Sequence, residues 1–203
     1  MMSLSTLTVL AAIAAPAAPA YDEGDRLMAA ERYQEALALW LGLLKENPDD
    51  SEALLRAGIA QSMLAQYDAA AESFDHALRL NPRNAPVLYN RALLRLKLGE
   101  LDAAEKQLHE LLGICDWYPN ANYHLGLICE KRGDPAAADG YYVKELNVNP
   151  SSAMAWKRHM ELSPPPPTGP AWAVWLLVAI AICGALVTAW QLRRGHHRDP
   201  SNA

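Results

Sequence analysis

The residues that could carry out chemistry are scattered along this chain of 203 residues. None of its six histidines and three cysteines forms an H-E-x-x-H motif or a zinc-binding Cys/His spacing. A phosphate-binding G-x-x-x-x-G-K-[ST] loop and a G-x-S-x-G nucleophile motif are both absent from the sequence. The pair His196-His197 could bind a metal weakly, but a solvated basic tail is the better interpretation. We therefore expect no catalytic residue, cofactor, metal site or small-molecule substrate, and predict that the protein is not an enzyme.

Charge divides the chain into four parts. Residues 1–21 and 171–192 contain no charged side chain, whereas residues 22–170 hold 22 acidic and 15 basic ones. The tail, 193–203, carries three arginines and one aspartate. The formal net charge of -5 excludes a nucleic-acid binder that depends on a large basic surface.

The first twenty residues have the layout of a secretory signal peptide. An apolar core at about 7–15 is followed by Ala18-Pro19-Ala20, a small-x-small cleavage pattern, and then by acidic residues. The amino-terminal stretch lacks the basic residue that such peptides usually carry. We predict cleavage of residues 1–20 and a mature chain that starts near Tyr21; the alternative is an uncleaved, alanine-rich extension.

The apolar run 171–192 is predicted to be a transmembrane helix. Its 22 residues would extend about 33 Å, enough to cross the hydrocarbon core of a bilayer. Tryptophans stand near both ends, where aromatic rings favour the membrane interface, and Arg193, Arg194 and Arg198 follow at once. These arginines predict a cytoplasmic tail, so the preceding domain would lie on the other side of the membrane. A buried core helix is the alternative.

Three kinds of position recur every 34 residues in the acidic middle: an alanine, a tiny residue and a large apolar residue. Their members are Ala36, Ala70, Ala104 and Ala138; Gly24, Gly58, Ala92 and Gly126; and Trp40, Phe74, Leu108 and Tyr142. Small residues let two helices approach closely, and the large residue is expected to fill the space between neighbouring hairpins. Gly99 and Gly133 should end first helices, and Asp68, Asp102 and Asp134 should be N-caps of second helices.

This pattern resembles the tetratricopeptide repeat (TPR) family, with repeats starting at residues 17, 51, 85 and 119. Asp116 replaces the proline that normally closes the third repeat, and Trp156 marks a fifth first helix. The resemblance implies an all-α TPR superhelix, with one C-terminal transmembrane helix added. Helices are expected near 21–31, 34–47, 52–65, 68–81, 86–98, 102–115, 120–132 and 136–148.

The predicted organisation assigns residues 21–152 to four TPR units and 153–162 to a capping helix. Met154, Trp156 and Met160 of that helix are expected to cover the last repeat. Residues 163–170, which contain four consecutive prolines, form a stiff spacer before the span.

The TPR resemblance implies that a segment of a partner protein binds the concave face lined by the first helices. The lysine and asparagine that clamp a terminal carboxylate in the chaperone-binding subset are absent. An apolar, tyrosine-rich strip edged by Lys97 and Lys131 replaces them. The candidate partner-binding residues are Leu55, Ile59, Tyr89, Asn90, Leu93, Tyr123, His124 and Leu127. The alternative is that these side chains only pack between helices.

Together these features predict a membrane-anchored scaffold in the bacterial inner membrane, with periplasmic repeats and a cytoplasmic tail. The order of segments is similar to that of periplasmic TPR proteins of BatE type and of TPR subunits in cytochrome c maturation. The alternative is a tail-anchored adaptor with cytosolic repeats on an organelle membrane, which requires residues 1–20 to be retained.

Overall fold

The computed structural model describes residues 17–164, and every regular element in this range is an α-helix. The helices are α1 (Ala17–Ala29), α2 (Tyr33–Glu46), α3 (Ser51–Met63), α4 (Tyr67–Leu80), α5 (Ala85–Leu98), α6 (Leu101–Ile114), α7 (Ala121–Lys131), α8 (Pro135–Val148) and α9 (Ala153–Leu162). The chain divides into two units between Arg158 and His159, a point that falls within α9. The features below belong to the first unit unless stated otherwise.

The first eight helices form four hairpins. Within the hairpins, α1 packs on α2, α3 on α4, α5 on α6 and α7 on α8, and successive hairpins meet through α2–α3, α4–α5 and α6–α7. The first helices of three repeats begin at Ala17, Ser51 and Ala85, as the 34-residue register requires. The predicted start of α1 at residue 21 is wrong by four residues; Pro19 falls in the first turn, where proline is tolerated.

Glycines on the first helices hold the hairpins together. A β-carbon at Gly24, Gly58 or Gly126 would overlap the ring of Trp40, Phe74 or Tyr142 respectively. Each ring therefore fills a notch on the first helix of its own hairpin, which corrects the expectation that it fills the space between hairpins. In the third repeat, alanine replaces the glycine and leucine replaces the aromatic ring. This pair is Ala92 with Leu108, and both residues are fully buried. The four repeated alanines, as predicted, are all 0% exposed.

The turns inside the hairpins share a left-handed residue. Glu31, Ala65, Gly99 and Gly133, each 34 residues after the one before, have φ between 58° and 79°. Gly99 and Gly133 end their helices as expected, while Glu31 and Ala65 adopt this conformation without the freedom of glycine.

The predicted N-caps of the second helices are partly wrong. Asp134 caps α8, because its side chain accepts a hydrogen bond from the backbone N–H of Ala137. Asp68 and Asp102 lie inside the first turns of α4 and α6, whose N-caps are Gln66 and Glu100. The two aspartates stand two residues further along the repeat than Asp134, so the three were not equivalent positions.

The predicted capping helix corresponds to α9, and three of its apolar side chains remain largely exposed. Met154, Trp156 and Met160 are 51%, 48% and 43% exposed. Ala155 is fully buried instead, like Ala121 one repeat earlier.

The predicted chain ends lie largely outside the described residues. This applies to residues 1–16 of the predicted signal peptide, to the transmembrane span at 171–192 and to the basic tail. Among the helices of residues 17–164, none combines the length and apolar character that crossing a bilayer requires.

Candidate functional site

The first helices of the second and third repeats enclose an apolar pocket. Contact between α3 and α5 brings Ile59 and Met63 opposite Leu93, with Asn90 and Lys97 at the edge. The pocket has a volume of about 120 Å³, and Met63 is 49% exposed at its mouth. We call it the α3–α5 pocket, and we call the surface lined by α1, α3, α5 and α7 the first-helix face.

Three of the predicted binding residues, Ile59, Asn90 and Leu93, line this one pocket. Met63 was missed by the sequence analysis, because a methionine at the end of a helix reads as ordinary packing. Its repeat position could have indicated it, since Met63, Lys97 and Lys131 follow one another at 34-residue intervals.

A ring cluster joins the first helices of the third and fourth repeats. The Tyr89 hydroxyl lies 3.1 Å from Nε2 of His124, and the Tyr89 ring packs on Tyr118 with centroids 5.0 Å apart. Burial lowers the pKa of His124 to about 4, so its imidazole is neutral near pH 7. Burial also raises the pKa of Tyr89 to about 12, with smaller contributions from Tyr118 and Glu145. Tyr89 and His124 therefore stabilise the stack as well as lining its face.

The remaining predicted residues divide between surface and core. Tyr123 and Leu127 are half-buried on α7, where the Tyr123 ring packs against Tyr142 and His124. Leu55 is only 7% exposed and belongs to a core cluster with Phe74. A partner therefore has little access to Leu55, because leucine at this position packs inward between its own helix pair and the next.

The amino-terminal end of the first-helix face is a closed polar network. Arg56 lies over the rings of Tyr21 and Trp40, 5.3 and 5.5 Å from their centroids, and pairs with Asp25 and Glu52. The Tyr21 hydroxyl donates to Asp50 at 2.7 Å, and burial together with this bond raises the pKa of Tyr21. These charged side chains pair with one another, whereas the α3–α5 pocket on the same face is lined mainly by apolar side chains.

A buried carboxylate supports the start of α7. Asn120 precedes that helix with φ of 63° and has no side-chain cap, and its backbone N–H donates to Oε1 of Glu145 at 2.8 Å. Glu145 is 0% exposed. The repeat pattern does not indicate this glutamate, because apolar residues, Leu43, Ala77 and Leu111, occupy the equivalent positions.

The arrangement suits binding of a polypeptide by apolar contact and hydrogen bonds. Within residues 17–164, no group of three or more His, Cys, Asp or Glu side chains could hold a metal ion. Half-buried apolar and aromatic side chains, with amide and ammonium groups at their edge, supply the surface chemistry that peptide grooves use.

Curated proteins resemble parts of this chain. Cellulose synthase 2 operon protein C of Komagataeibacter xylinus is 28% identical over 123 residues, which cover 61% of this chain and 8% of that protein. The BBSome complex member BBS4 homolog of Drosophila melanogaster is 27% identical over 130 residues, covering 63% of this chain and 26% of that protein. This chain thus spans only a small part of the length of these relatives.

Solved structures share the fold at low sequence identity. MamA is 23% identical with a TM-score of 0.59, and the match covers 68% of this chain and 81% of that one. PilF of Pseudomonas aeruginosa is 21% identical with a TM-score of 0.66, covering 71% and 66%. YrrB, described as a TPR protein with an unusual peptide-binding site, is 20% identical with a TM-score of 0.56, covering 72% and 76%.

Family models agree with the repeat register. Three models described as tetratricopeptide repeat match residues 21–62, 51–84 and 73–106. Together with the four hairpins, the glycine notches and the 34-residue spacing, these matches show that residues 21–106 are built of tetratricopeptide repeats.

Proposed function

We propose that this protein is a membrane-anchored TPR scaffold that holds a segment of a partner protein on its first-helix face and carries out no chemistry itself. The observation that carries the proposal is the α3–α5 pocket, where Ile59, Met63 and Leu93 present apolar surface beside the amide of Asn90. A partner side chain that enters the pocket would gain the free energy of apolar burial. The peptide-binding site named for YrrB supports this use of the fold.

The membrane part of the proposal rests on the sequence of the chain ends. The uncharged run 171–192 is proposed to anchor the scaffold in the bacterial inner membrane, and the three arginines after it to keep the tail cytoplasmic. Removal of the first twenty residues would then leave the repeats in the periplasm. A partner bound to the repeats would thus be held close to the membrane.

A pull-down from membranes tests the binding face. Full-length protein with Met63→Trp should capture its partner poorly after chemical crosslinking, because the indole fills the α3–α5 pocket. The position is well suited to the test, since the Met63 side chain is half-exposed and the fold should tolerate the change. Tyr89→Ala and Tyr123→Ala are less suitable, because both rings pack within the stack.

The matched control is Leu41→Trp on α2, where the leucine is 41% exposed on a second helix. This variant should capture the partner as the unaltered protein does. Equal capture by both variants, with both folded by circular dichroism, would exclude the first-helix face as the binding surface.

A further inference from the structure

We propose that the partner segment is acidic, and that it places one aliphatic side chain in the α3–α5 pocket and carboxylates on Lys97 and Lys131. The proposal rests on the proposed function and adds the chemistry of the partner to it. The size of the pocket and the distribution of charge along the first-helix face support it.

The pocket accommodates a single side chain of moderate size. Its volume of about 120 Å³ is somewhat smaller than the roughly 150 Å³ apolar cavity that takes up one benzene molecule. Ile59 and Leu93 provide fixed aliphatic walls, and the flexible thioether of Met63 at the mouth can adapt to the entering group. Leucine, isoleucine, valine and methionine side chains fit this description.

Lys97 brings a positive charge to the edge of the pocket. Helix α5 contains no Asp or Glu and three basic residues. Two of these are engaged, since Arg91 pairs with Asp75 at 2.5 Å and Arg95 donates to the carbonyl of Ala103 at 3.1 Å. The Lys97 ammonium donates to the carbonyl of Ser62 at 3.4 Å, so it lies at the carboxyl end of α3 without a carboxylate partner in the described part of the chain.

Lys131 extends this positive edge by one repeat. It occupies the position on α7 that Lys97 occupies on α5, it is exposed, and it has no ion pair among residues 17–164. The only acidic residue of α7, Glu130, accepts from the Tyr142 hydroxyl at 2.7 Å and lies 3.8 Å from Arg158. The third and fourth repeats thus present two lysines to a ligand, on a chain whose net charge is -5.

The opposite end of the face does not attract an acidic segment. Asp25 and Glu52 there are paired with Arg56, Glu23 is paired with Arg26, and Asp22 adds negative charge to α1. An acidic segment is therefore favoured over the third and fourth repeats and disfavoured over the first. The carboxylates of the bound segment would therefore lie on the side of the pocket that faces the fourth repeat.

Three capped synthetic peptides test the proposal by fluorescence anisotropy with the full-length protein in detergent. The probes are acetylated, amidated twelve-residue repeats of Leu-Glu-Glu, of Leu-Lys-Lys and of Ser-Glu-Glu. The Leu-Glu-Glu peptide should bind at least tenfold more tightly than either of the others, and its affinity should fall between 50 and 300 mM salt. Lys97→Gln with Lys131→Gln should weaken its binding about five- to tenfold.

The matched control is Lys45→Gln with Lys106→Gln, which removes the same charge from exposed lysines on second helices and should leave binding unchanged. Met63→Trp should also abolish binding of the Leu-Glu-Glu peptide.

Several outcomes would overturn the proposal. Equal loss in the two lysine pairs would show non-specific attraction, and failure of all three peptides to bind would show that this chemistry is wrong. Tighter binding of the Leu-Lys-Lys peptide would show that the partner segment is not acidic. If Met63→Trp abolished that binding, the first-helix face would still be the binding surface. The proposed function fails separately, if Met63→Trp leaves capture of the natural partner unchanged.

Discussion

Single residues in this protein serve both packing and the candidate face, and His124 shows this most clearly. The imidazole sits against Tyr89 and Tyr123, and its Nδ1 is buried without a hydrogen-bond partner in the described structure. Burial without a hydrogen-bond partner favours the neutral base of such a group in the folded state. The Glu31 and Ala65 backbones likewise hold conformations that the hairpin turns require and that their side chains disfavour.

Acid should destabilise the stack through His124. Its folded-state pKa of about 4 is below the usual 6.5, so protonation favours the unfolded chain as pH falls from about 6.5 towards 4. Above about pH 6.5 the imidazole is neutral in both the folded and the unfolded state, so His124 no longer makes stability depend on pH. The difference in unfolding free energy between the unaltered protein and His124→Gln should shift by about 2 kcal/mol between pH 7 and pH 4.5, measured by urea denaturation. A difference that stays constant with pH would show that His124 titrates normally.

Glycine at residue 65 should stabilise the protein. Ala65→Gly relieves the strain of the left-handed backbone, which is about 1–2 kcal/mol. Part of this gain in stability is offset, because glycine gives the unfolded chain more conformational freedom. We expect a net gain of about 0.5–1 kcal/mol in the free energy of unfolding. Gly99→Ala, at the equivalent turn, is the reverse control and should cost a similar amount. A loss of stability in Ala65→Gly would contradict the positive φ.

A glycine notch and its ring should behave as one unit. The third repeat has alanine opposite leucine, so Gly58→Ala with Phe74→Leu recreates the pair Ala92 and Leu108 in the second repeat. Gly58→Ala alone should overpack against the ring, and Phe74→Leu alone should leave a gap. In a double-mutant cycle by denaturant unfolding, the combined change should be less destabilising than the sum by about 1 kcal/mol or more. Additive effects would mean that the two side chains do not meet.

At the scale of the elements, the repeat spacing predicted the order and type of every described helix, because small and large residues recur in one register. Seven of the eight predicted repeat helices start within one residue of the observed helix, and only the start of α1 was misplaced. The turns were less predictable. Only two of the four left-handed turn residues are glycines, so Glu31 and Ala65 gave no signal. The start of α7 depends on Glu145, a contact between residues 25 apart in sequence that no local pattern reveals.

The candidate site could be predicted only in part, for a related reason. The TPR register placed Ile59, Asn90 and Leu93 on one face, and the structure brings them to one pocket. The register could not indicate that Leu55 is buried whereas Met63 is exposed, since this depends on how far each helix extends and what packs beside it.

Asp134 and Asp68 differ in what their side chains do at the start of a helix. Asp134→Ala should lower the free energy of unfolding by about 1 kcal/mol, because the backbone N–H of Ala137 loses its partner. Asp68→Ala removes only a favourable charge in the first turn of α4 and should cost a few tenths of a kcal/mol. Thermal melts of the two variants in parallel compare them directly. Equal costs would show that the aspartates occupy equivalent positions after all.

At the scale of the whole molecule, the proposed arrangement couples a binding stack to a membrane through a short spacer. The predicted cleavage site lies within helix α1. Cleavage after Ala20 would remove the first four residues of α1 and leave Tyr21, which packs on Trp40 and bonds Asp50, as the first residue. We expect the mature protein to begin there, and intact Met1 or Met2 in mass spectra of the membrane-bound protein would contradict the periplasmic location.

Reporter fusions test the membrane topology. A reporter active only in the periplasm should be active when fused after Pro167 and silent when fused after Ala203. The reason is the charge difference across 171–192, where Arg193, Arg194 and Arg198 lie on one side. Activity only in the second fusion would reverse the orientation, and activity in neither would place the repeats in the cytosol.

The central claim is that the first-helix face holds a partner protein, and site-specific photo-crosslinking in native membranes tests it most directly. A photoreactive amino acid at position 63 or 97 should crosslink to one and the same partner. The same amino acid at position 45 or 106, on exposed second-helix surface, should not. Crosslinks to that partner from positions 45 and 106, and none from 63 and 97, would contradict the account.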